Sequence, residues 1–213
     1  MELLNIDEIL SACEASVLNY EADIKIKGIS TDSRKIKVDD MFIALKGENF
    51  HGHEFVKKAA SSGAKLVLVE KEMKDIECPC IIVEDTIAAM HKLAKYYKNK
   101  FNIPFVALTG SSGKTTTKEM IWSVLSQKFN TLKTEGNYNN AIGLPLTLFN
   151  LTSAHEIAVL EMGMNSFGEI RALADIVRPE VSIITNVGTA HIEKLGSRAN
   201  ILKAKSEIFS YFD

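Results

Sequence analysis

The alternation of apolar and polar positions predicts a small α/β unit followed by a parallel-sheet unit. Residues 6–13 read as a short helix, and ADIKIKGIS at 22–30 alternates as a half-buried strand does. A second apolar run spans Met41 to Leu45. Residues 53–62 predict a helix with Phe55, Val56, Ala59 and Ala60 on one face and Gly63 at its C-terminal end. KLVLV at 65–69 and CIIV at 80–83 follow as short strands, and Thr86 is the expected N-cap of a helix running to about Tyr97. The polar stretch from Lys95 to Pro104 ends this unit.

From Phe105 onward strands alternate with helices. Strands are expected at 105–109, 131–133, 156–161 and 181–186, and helices at about 114–127, 142–149, 168–177 and 198–212. Near-continuous apolar strands in that alternation predict a parallel sheet covered on both faces, with ligands at the carboxyl ends of the strands. The expected division is therefore 1–84, a linker helix and boundary at 85–104, and 105–213.

Composition adds limits. With 213 residues, 46% of them hydrophobic, the chain can fill ordinary cores. Its 25 basic and 27 acidic residues give a net charge of -2, which shows no global bias toward nucleic acid or a membrane surface. The N-terminus reads as no secretory leader and no run approaches a membrane span, so a cytoplasmic protein is expected. Cys13, Cys78 and Cys80 form no disulfide framework, and Cys78-Pro-Cys80 lacks a second ligand pair at a metal-binding spacing. Free thiols are expected.

The strongest chemical signal is FVALTGSSGKTTTKEM at 105–120. A buried strand that empties into a glycine-bearing turn and a helix start presents unpaired backbone amides and the positive helix end at one point, which suits phosphate. Gly110 and Gly113 let the backbone approach phosphate oxygens, Lys114 supplies a charge and the Thr115 hydroxyl can hold Mg²⁺. Gly110, Ser111, Ser112, Gly113, Lys114, Thr115 and Thr116 form the nucleotide-binding segment. Leu108 stands where the strict motif has glycine, so the match is to the shorter T-G-x-x-G-K-T-T form.

Other residues converge on the same sheet edge. IAVLEMG ends a buried strand on Glu161, a carboxylate suited to Mg²⁺. VSIITN delivers Asn186 there, and the following loop carries His191, which reads equally as a ligand or as a surface residue. Lys205 shares a helical face with Ile201, Leu202, Ile208 and Phe209; such an amine snorkels, finds a partner or changes chemically. Asn137, Asn139 and Asn140 occupy a glycine-bounded turn before a helix, which suits an anion site or simply a left-handed turn. In the first unit, Thr31, Asp32, Ser33 and Arg34 follow one strand and Lys46-Gly47 follows the next, so two loops could hold a phosphate or a polar ring, although solvated turns explain them equally.

These segments together resemble the Mur ligase family of ATP-dependent amide ligases of peptidoglycan precursor synthesis. The resemblance rests on TDSR at 31–34, ALKGENFHGHEF at 44–55, TGSSGKTTTKE at 109–119, GNYNNAIGLPLT at 136–147, EMGMNSFGEI at 161–170, and TNVGTAHIEKLGS with AKSEIF at 185–209. It is strongest for the branch that adds D-alanyl-D-alanine to UDP-N-acetylmuramoyl-tripeptide through an acyl phosphate. The resemblance implies a UDP-binding N-terminal domain contacted through Thr31, Ser33, Arg34 and Lys46, then a P-loop ATPase domain using ATP and Mg²⁺. It implies that Lys114 and Thr115 hold ATP and Mg²⁺, and that Glu161 and His191 bind magnesium. Asn137, Asn139 and Asn140 would face substrate and phosphates. Lys205 matches the family lysine that becomes carbamylated and helps to position Mg²⁺, so Lys114, His191 and Lys205 are the expected catalytic groups.

Family members usually show Asp where this chain has His51. They also carry a third, C-terminal domain, and a chain ending at Asp213 is expected to be a truncated, inactive portion with an incomplete central sheet. A monomer is expected. A sister ligase adding a diamino acid and a nucleotide-binding module without turnover stay open as alternatives. The TDSR and KGENFHGH segments argue against a folate polyglutamate ligase, since that class lacks such a UDP-binding domain.

Overall fold

The apolar runs of the sequence are buried in two units of a computed structural model, Met1–Tyr96 and Tyr97–Asp213. Residues 1–18, 21–47 and 50–212 are described, Phe50 by its backbone only. The division falls within the 85–104 stretch, between two adjacent tyrosines of one helix.

In the first unit β1 (Leu4–Asn5) enters α1 (Ile6–Cys13) through a capping box. Asn5 Oδ1 accepts the Glu8 amide at 2.8 Å, and Glu8 Oε2 accepts the Asn5 amide at 2.9 Å. There follow β2 (Ser16–Leu18), β3 (Lys25–Ile26), β4 (Gly28–Ser30), β5 (Asp40–Ile43) and the hairpin β6 (Lys46–Gly47) with β7 (Phe50–His51). A 3₁₀ turn at Gly52–Phe55, α2 (Val56–Ser61), β8 (Ala64–Val69), β9 (Cys80–Ile82) and α3 (Thr86–Lys98) complete the order. The main sheet runs β2-β9-β8-β5-β4, with β2 antiparallel to β9 and the other pairs parallel. Phe42, Val67 and Val69 pack against Val56 and Ala59 in its core.

Two expectations are corrected here. The single strand expected over 22–30 is two strands in two sheets: β3 pairs antiparallel with β1, and β4 pairs parallel with β5. The crossing is tight at Gly28, where a Cβ would lie 2.1 Å from Asp40 Oδ1. Asp85, not Thr86, caps α3, its Oδ1 accepting the amides of Ile87 at 2.7 Å and Ala88 at 2.9 Å. Thr86 is the first helical residue, buried, and its hydroxyl donates to Glu70 Oε1 at 3.2 Å.

In the second unit the order is β10 (Phe105–Thr109), α4 (Lys114–Leu125), β11 (Thr131–Lys133), α5 (Gly143–Leu148), β12 (Ile157–Glu161), α6 (Glu169–Val177), β13 (Val181–Ile184), α7 (Ile192–Leu195) and α8 (Arg198–Ser206). The sheet order β11-β12-β10-β13 is parallel throughout. Every residue of β10 is buried, as a strand flanked on both sides requires. All carboxyl ends therefore meet at one edge, where the β10–α4 turn sits.

The last helix is shorter than the predicted 198–212. It starts at Ser197, whose side chain accepts the Asn200 amide at 3.1 Å, and gives way to a 3₁₀ turn at Glu207–Phe209. Tightening the helix rotates Phe209 outward, and Leu202 is also exposed, so the apolar stripe beside Lys205 narrows to Ile201 and Ile208. Among the described residues no helix is long and apolar enough to cross a membrane.

Candidate active site at the carboxyl edge of the parallel sheet

The β10–α4 turn is held open by its own sequence. Gly113 has φ +75°, a left-handed conformation that starts α4 at Lys114. A Cβ at Gly110 would fall 1.9 Å from Thr185 Oγ1, so glycine is required by contact with the chain after β13. That chain clamps the turn: the Thr185 hydroxyl donates to the Ser112 carbonyl at 2.7 Å, and Asn186 Oδ1 accepts the Ser112 amide at 3.1 Å. Asn186 Nδ2 donates to Ser112 Oγ at 2.8 Å, and the Asn186 carbonyl accepts the Ser111 amide at 3.2 Å. Lys114 Nζ donates back to the Gly110 carbonyl at 2.9 Å. The buried hydroxyl oxygens of Thr109 and Ser111 have no hydrogen-bond partner among the described residues. A backbone cradle, a lysine resting on it and unpaired hydroxyls fit a phosphorylated ligand.

Glu161 stands beside this turn. Only 2% exposed, it accepts the Thr115 hydroxyl at 2.9 Å through Oε2 and Asn139 Nδ2 at 2.8 Å through Oε1. A carboxylate and a hydroxyl in contact at the start of a phosphate-binding helix are oxygen donors suited to a hard divalent cation that also takes phosphate oxygens. No group of three or more His, Cys, Asp or Glu side chains able to hold a metal occurs among the described residues.

Lys205 is 2% exposed. Burial first, and the charge of Lys114 second, push its pKa down from 10.5 to about 8. His191 occupies the left-handed position before α7, at φ +65°, on the loop that follows β13.

The asparagines divide. Asn139 points to Glu161, and its carbonyl accepts the Gly163 amide at 2.7 Å. Asn140 Oδ1 accepts the amides of Ile142 at 3.1 Å and Gly143 at 2.8 Å, which ties it to the start of α5. The Asn137 carbonyl accepts the Asn139 amide at 2.8 Å and shapes the turn.

Sequence reasoning missed the clamp by Thr185, the buried Lys118 and the buried Thr134. Thr185 and Thr134 act on residues distant in the sequence, Lys118 reaches the Thr134 carbonyl 16 residues on, and only a buried charge on a helix pattern could have flagged Lys118.

In the first unit β4 and β5 are adjacent and parallel, so the Thr31–Arg34 and Lys46 loops leave neighbouring strand ends. Ser33 is buried, whereas Arg34 is exposed and grips Asp32 through Nε at 2.9 Å and Nη2 at 2.8 Å. That fork holds the Asp32 carboxyl well below the usual carboxylate range. Lys46 pairs with His51 in the β6–β7 hairpin and is exposed. Gly52 closes this loop against the Leu45 carbonyl, 2.6 Å from where a Cβ would stand.

Residues 25–109 match the catalytic domain of the Mur ligase family and residues 108–213 match the Mur ligase middle domain. The UDP-N-acetylmuramoyl-tripeptide--D-alanyl-D-alanine ligase of Synechocystis sp. is 44% identical over 99% of this chain and 47% of its own length. That of Escherichia coli is 46% identical over 91% of this chain and 43% of its own. A crystal structure of MurF from Acinetobacter baumannii superposes with a TM-score of 0.95 at 40% identity, covering 99% of this chain and 47% of that one. The MurF ligase of Thermotoga maritima in complex with ADP gives a TM-score of 0.81 at 37% identity, covering 87% and 43%. The chain spans about half the length of the curated relatives it matches.

Proposed function

The chain belongs to the Mur ligase family, and from that premise we propose that it carries the UDP-substrate and ATP units of a ligase that joins D-alanyl-D-alanine to UDP-N-acetylmuramoyl-tripeptide in peptidoglycan synthesis. The reading takes the protein as cytoplasmic and monomeric, with ATP and Mg²⁺ bound in the second unit and the uridine nucleotide in the first. Its domains are an N-terminal unit to residue 84, a joining helix and boundary at 85–104, and a central unit from residue 105. The observation that carries it is the contact of Thr115 with Glu161 beside the Lys114 turn, in a chain 40–46% identical to such ligases over nearly its whole length.

A carboxylate oxygen of the tripeptide attacks the γ-phosphorus of ATP and ADP departs, leaving an acyl phosphate. The amine of D-alanyl-D-alanine then attacks the acyl carbon, loses a proton and expels phosphate. The carboxylate is already nucleophilic, so the first step needs alignment and charge neutralisation more than a base. Mg²⁺, held by Thr115, Glu161, His191 and a carbamylated Lys205, would neutralise phosphate charge. Lys114, freed from the Gly110 carbonyl, gives its ammonium to the outer phosphates. The amides of the first turn of α4, from Lys114 to Thr116, would hold the remaining oxygens, within a turn whose glycines Gly110 and Gly113 allow close approach and with Ser111, Ser112 and Thr116 adding hydroxyls. A depressed pKa gives Lys205 the neutral amine that carbamylation requires: nitrogen bonds to the carbon of CO₂ and a proton goes to solvent. Thr31, Ser33, Arg34 and Lys46 contact the uridine diphosphate, and Asn137, Asn139 and Asn140 form the turn facing substrate and phosphates.

Calorimetric titration with UDP-muramoyl tripeptide, the corresponding dipeptide and UMP tests this. Preference for the tripeptide is the expected result. Preference for the dipeptide would move the chain to a diamino-acid branch, and binding of none by folded protein would remove the substrate assignment.

A further inference from the structure

The parallel ladder between β11 and β12 ends in an unusual way. Lys133 pairs with Val159, and the Thr134 amide donates to the Val159 carbonyl at 3.1 Å. In a continuing parallel ladder the next bond would run from the Glu161 amide to the Thr134 carbonyl. Here the Glu161 amide donates instead to Thr134 Oγ1, at 2.9 Å. The carbonyl so released accepts Lys118 Nζ at 2.6 Å.

Both partners are buried, Thr134 at 0% and Lys118 at 1% exposure. A buried ammonium needs compensation, and besides the carbonyl Lys118 has Glu119 Oε1 at 3.1 Å. Glu119 is anchored in turn by Lys133 at 2.6 Å, whose ammonium lies 3.8 Å from the centroid of the Trp122 ring. Lys118 and Thr115 are three residues apart on α4 and so share a face. One turn of helix thus reaches the end of β12 twice, through the Thr115 hydroxyl to the Glu161 carboxylate and through Lys118 and Thr134 to the Glu161 main chain. Because β11 leaves the ladder at Thr134, the following turn folds back and brings Asn139 Nδ2 to the other carboxylate oxygen.

We propose that Lys118 and Thr134 are positioning residues that fix the Glu161 carboxylate between Thr115 and Asn139 for the magnesium–nucleotide complex. The role in metal binding rests on the proposed function; the fixing of Glu161 does not. Partners behind a metal ligand set its orientation, and losing one weakens metal binding while leaving the ligand in place.

The test uses this chain with Thr134→Val, Thr134→Ser and Lys118→Gln, read in two ways. Without metal, the ¹H–¹⁵N resonances of the Asn139 side-chain amide report its bond to Glu161. With ADP, a Mg²⁺ titration gives the midpoint for metal-dependent nucleotide binding. In Thr134→Val and Lys118→Gln the Asn139 amide shifts and exchanges faster, and the Mg²⁺ midpoint rises about 10-fold with metal-free ADP affinity unchanged. Thr134→Ser, which keeps the hydroxyl, restores both. Folded Thr134→Val with a wild-type Asn139 amide and Mg²⁺ midpoint overturns the proposal, even if it melts earlier, because that pattern is a structural role only. Should Thr134→Val not fold, Thr134→Cys, a weaker acceptor of the same connectivity, is read by the same criteria. A wild-type chain that binds no magnesium–ADP would overturn the functional reading, while the Asn139 resonances still decide whether Glu161 is positioned this way.

Discussion

Both carboxylate oxygens of Glu207 accept the Gly168 amide at 2.9 Å, and Oε2 also accepts the Arg171 amide at 3.2 Å. One residue just past α8 thereby caps α6, 39 positions earlier in the chain. The helix has no side-chain cap from its own N-cap residue, Gly168, so this carboxylate satisfies its orphan amides and complements its dipole. It also anchors the end of the helix that carries Lys205. Glu207→Ala should lower stability by about 1–2 kcal/mol, the scale of a lost helix cap, with Glu207→Gln less affected. Urea unfolding followed through Trp122, the chain's single tryptophan, reads this in the second unit.

Lys205 predicts a pH dependence of stability. Its pKa is near 10.5 when unfolded and about 8 when folded. Between those values the unfolded chain binds more protons, so stability rises with pH from about 8 to 10.5. Below about 8 the amine is charged in both states and the burial cost is complete. Lys205→Met should be more stable than wild type at pH 7 and should flatten this contribution, as thermal unfolding across the window would measure.

The two loop glycines should fail for different reasons. Gly110→Ala forces a Cβ to within 1.9 Å of Thr185 Oγ1 and should cost about 1–3 kcal/mol, together with nucleotide affinity. Removing the obstructing hydroxyl in Gly110→Ala/Thr185→Ala should recover part of the stability. Gly113 has nothing within 4 Å of a Cβ, so Gly113→Ala should carry only the left-handed backbone cost of about 1–2 kcal/mol. Denaturation and ADP titration of the three variants separate these cases.

Lys114 tests the assignment of the phosphate loop. Its amine rests on the Gly110 carbonyl, so Lys114→Ala leaves no buried charge behind and should fold normally. In an otherwise complete ligase it should reduce kcat by about 100-fold or more, the scale of removing one donor aimed at transition-state charge. Full ligase activity in that variant would sink the assignment.

Local pattern determined much of this protein. Apolar runs located β8, β9, β10, β12 and β13, because a buried strand needs uninterrupted apolar residues and a helix needs them every third or fourth position. The glycine, lysine and threonine spacing located the phosphate turn, since its chemistry lies in adjacent backbone amides. What failed was decided by contacts across the sequence. The 22–30 run looks like one strand, yet two different partners divide it at Lys27. The stripe around Lys205 looked wide, but the 3₁₀ turn at Glu207 carries Phe209 away. Asn140 looked like Asn139, yet only Asn139 meets Glu161, because the chain turns toward α5 at the next residue. Sequence alone supplied the acidic strand end and the threonine of the phosphate loop. Bringing the Thr115 hydroxyl to Glu161, 46 residues away, required the parallel pairing of β10 with β12, since hydrogen bonds between strands are specified by tertiary packing and not by either strand alone.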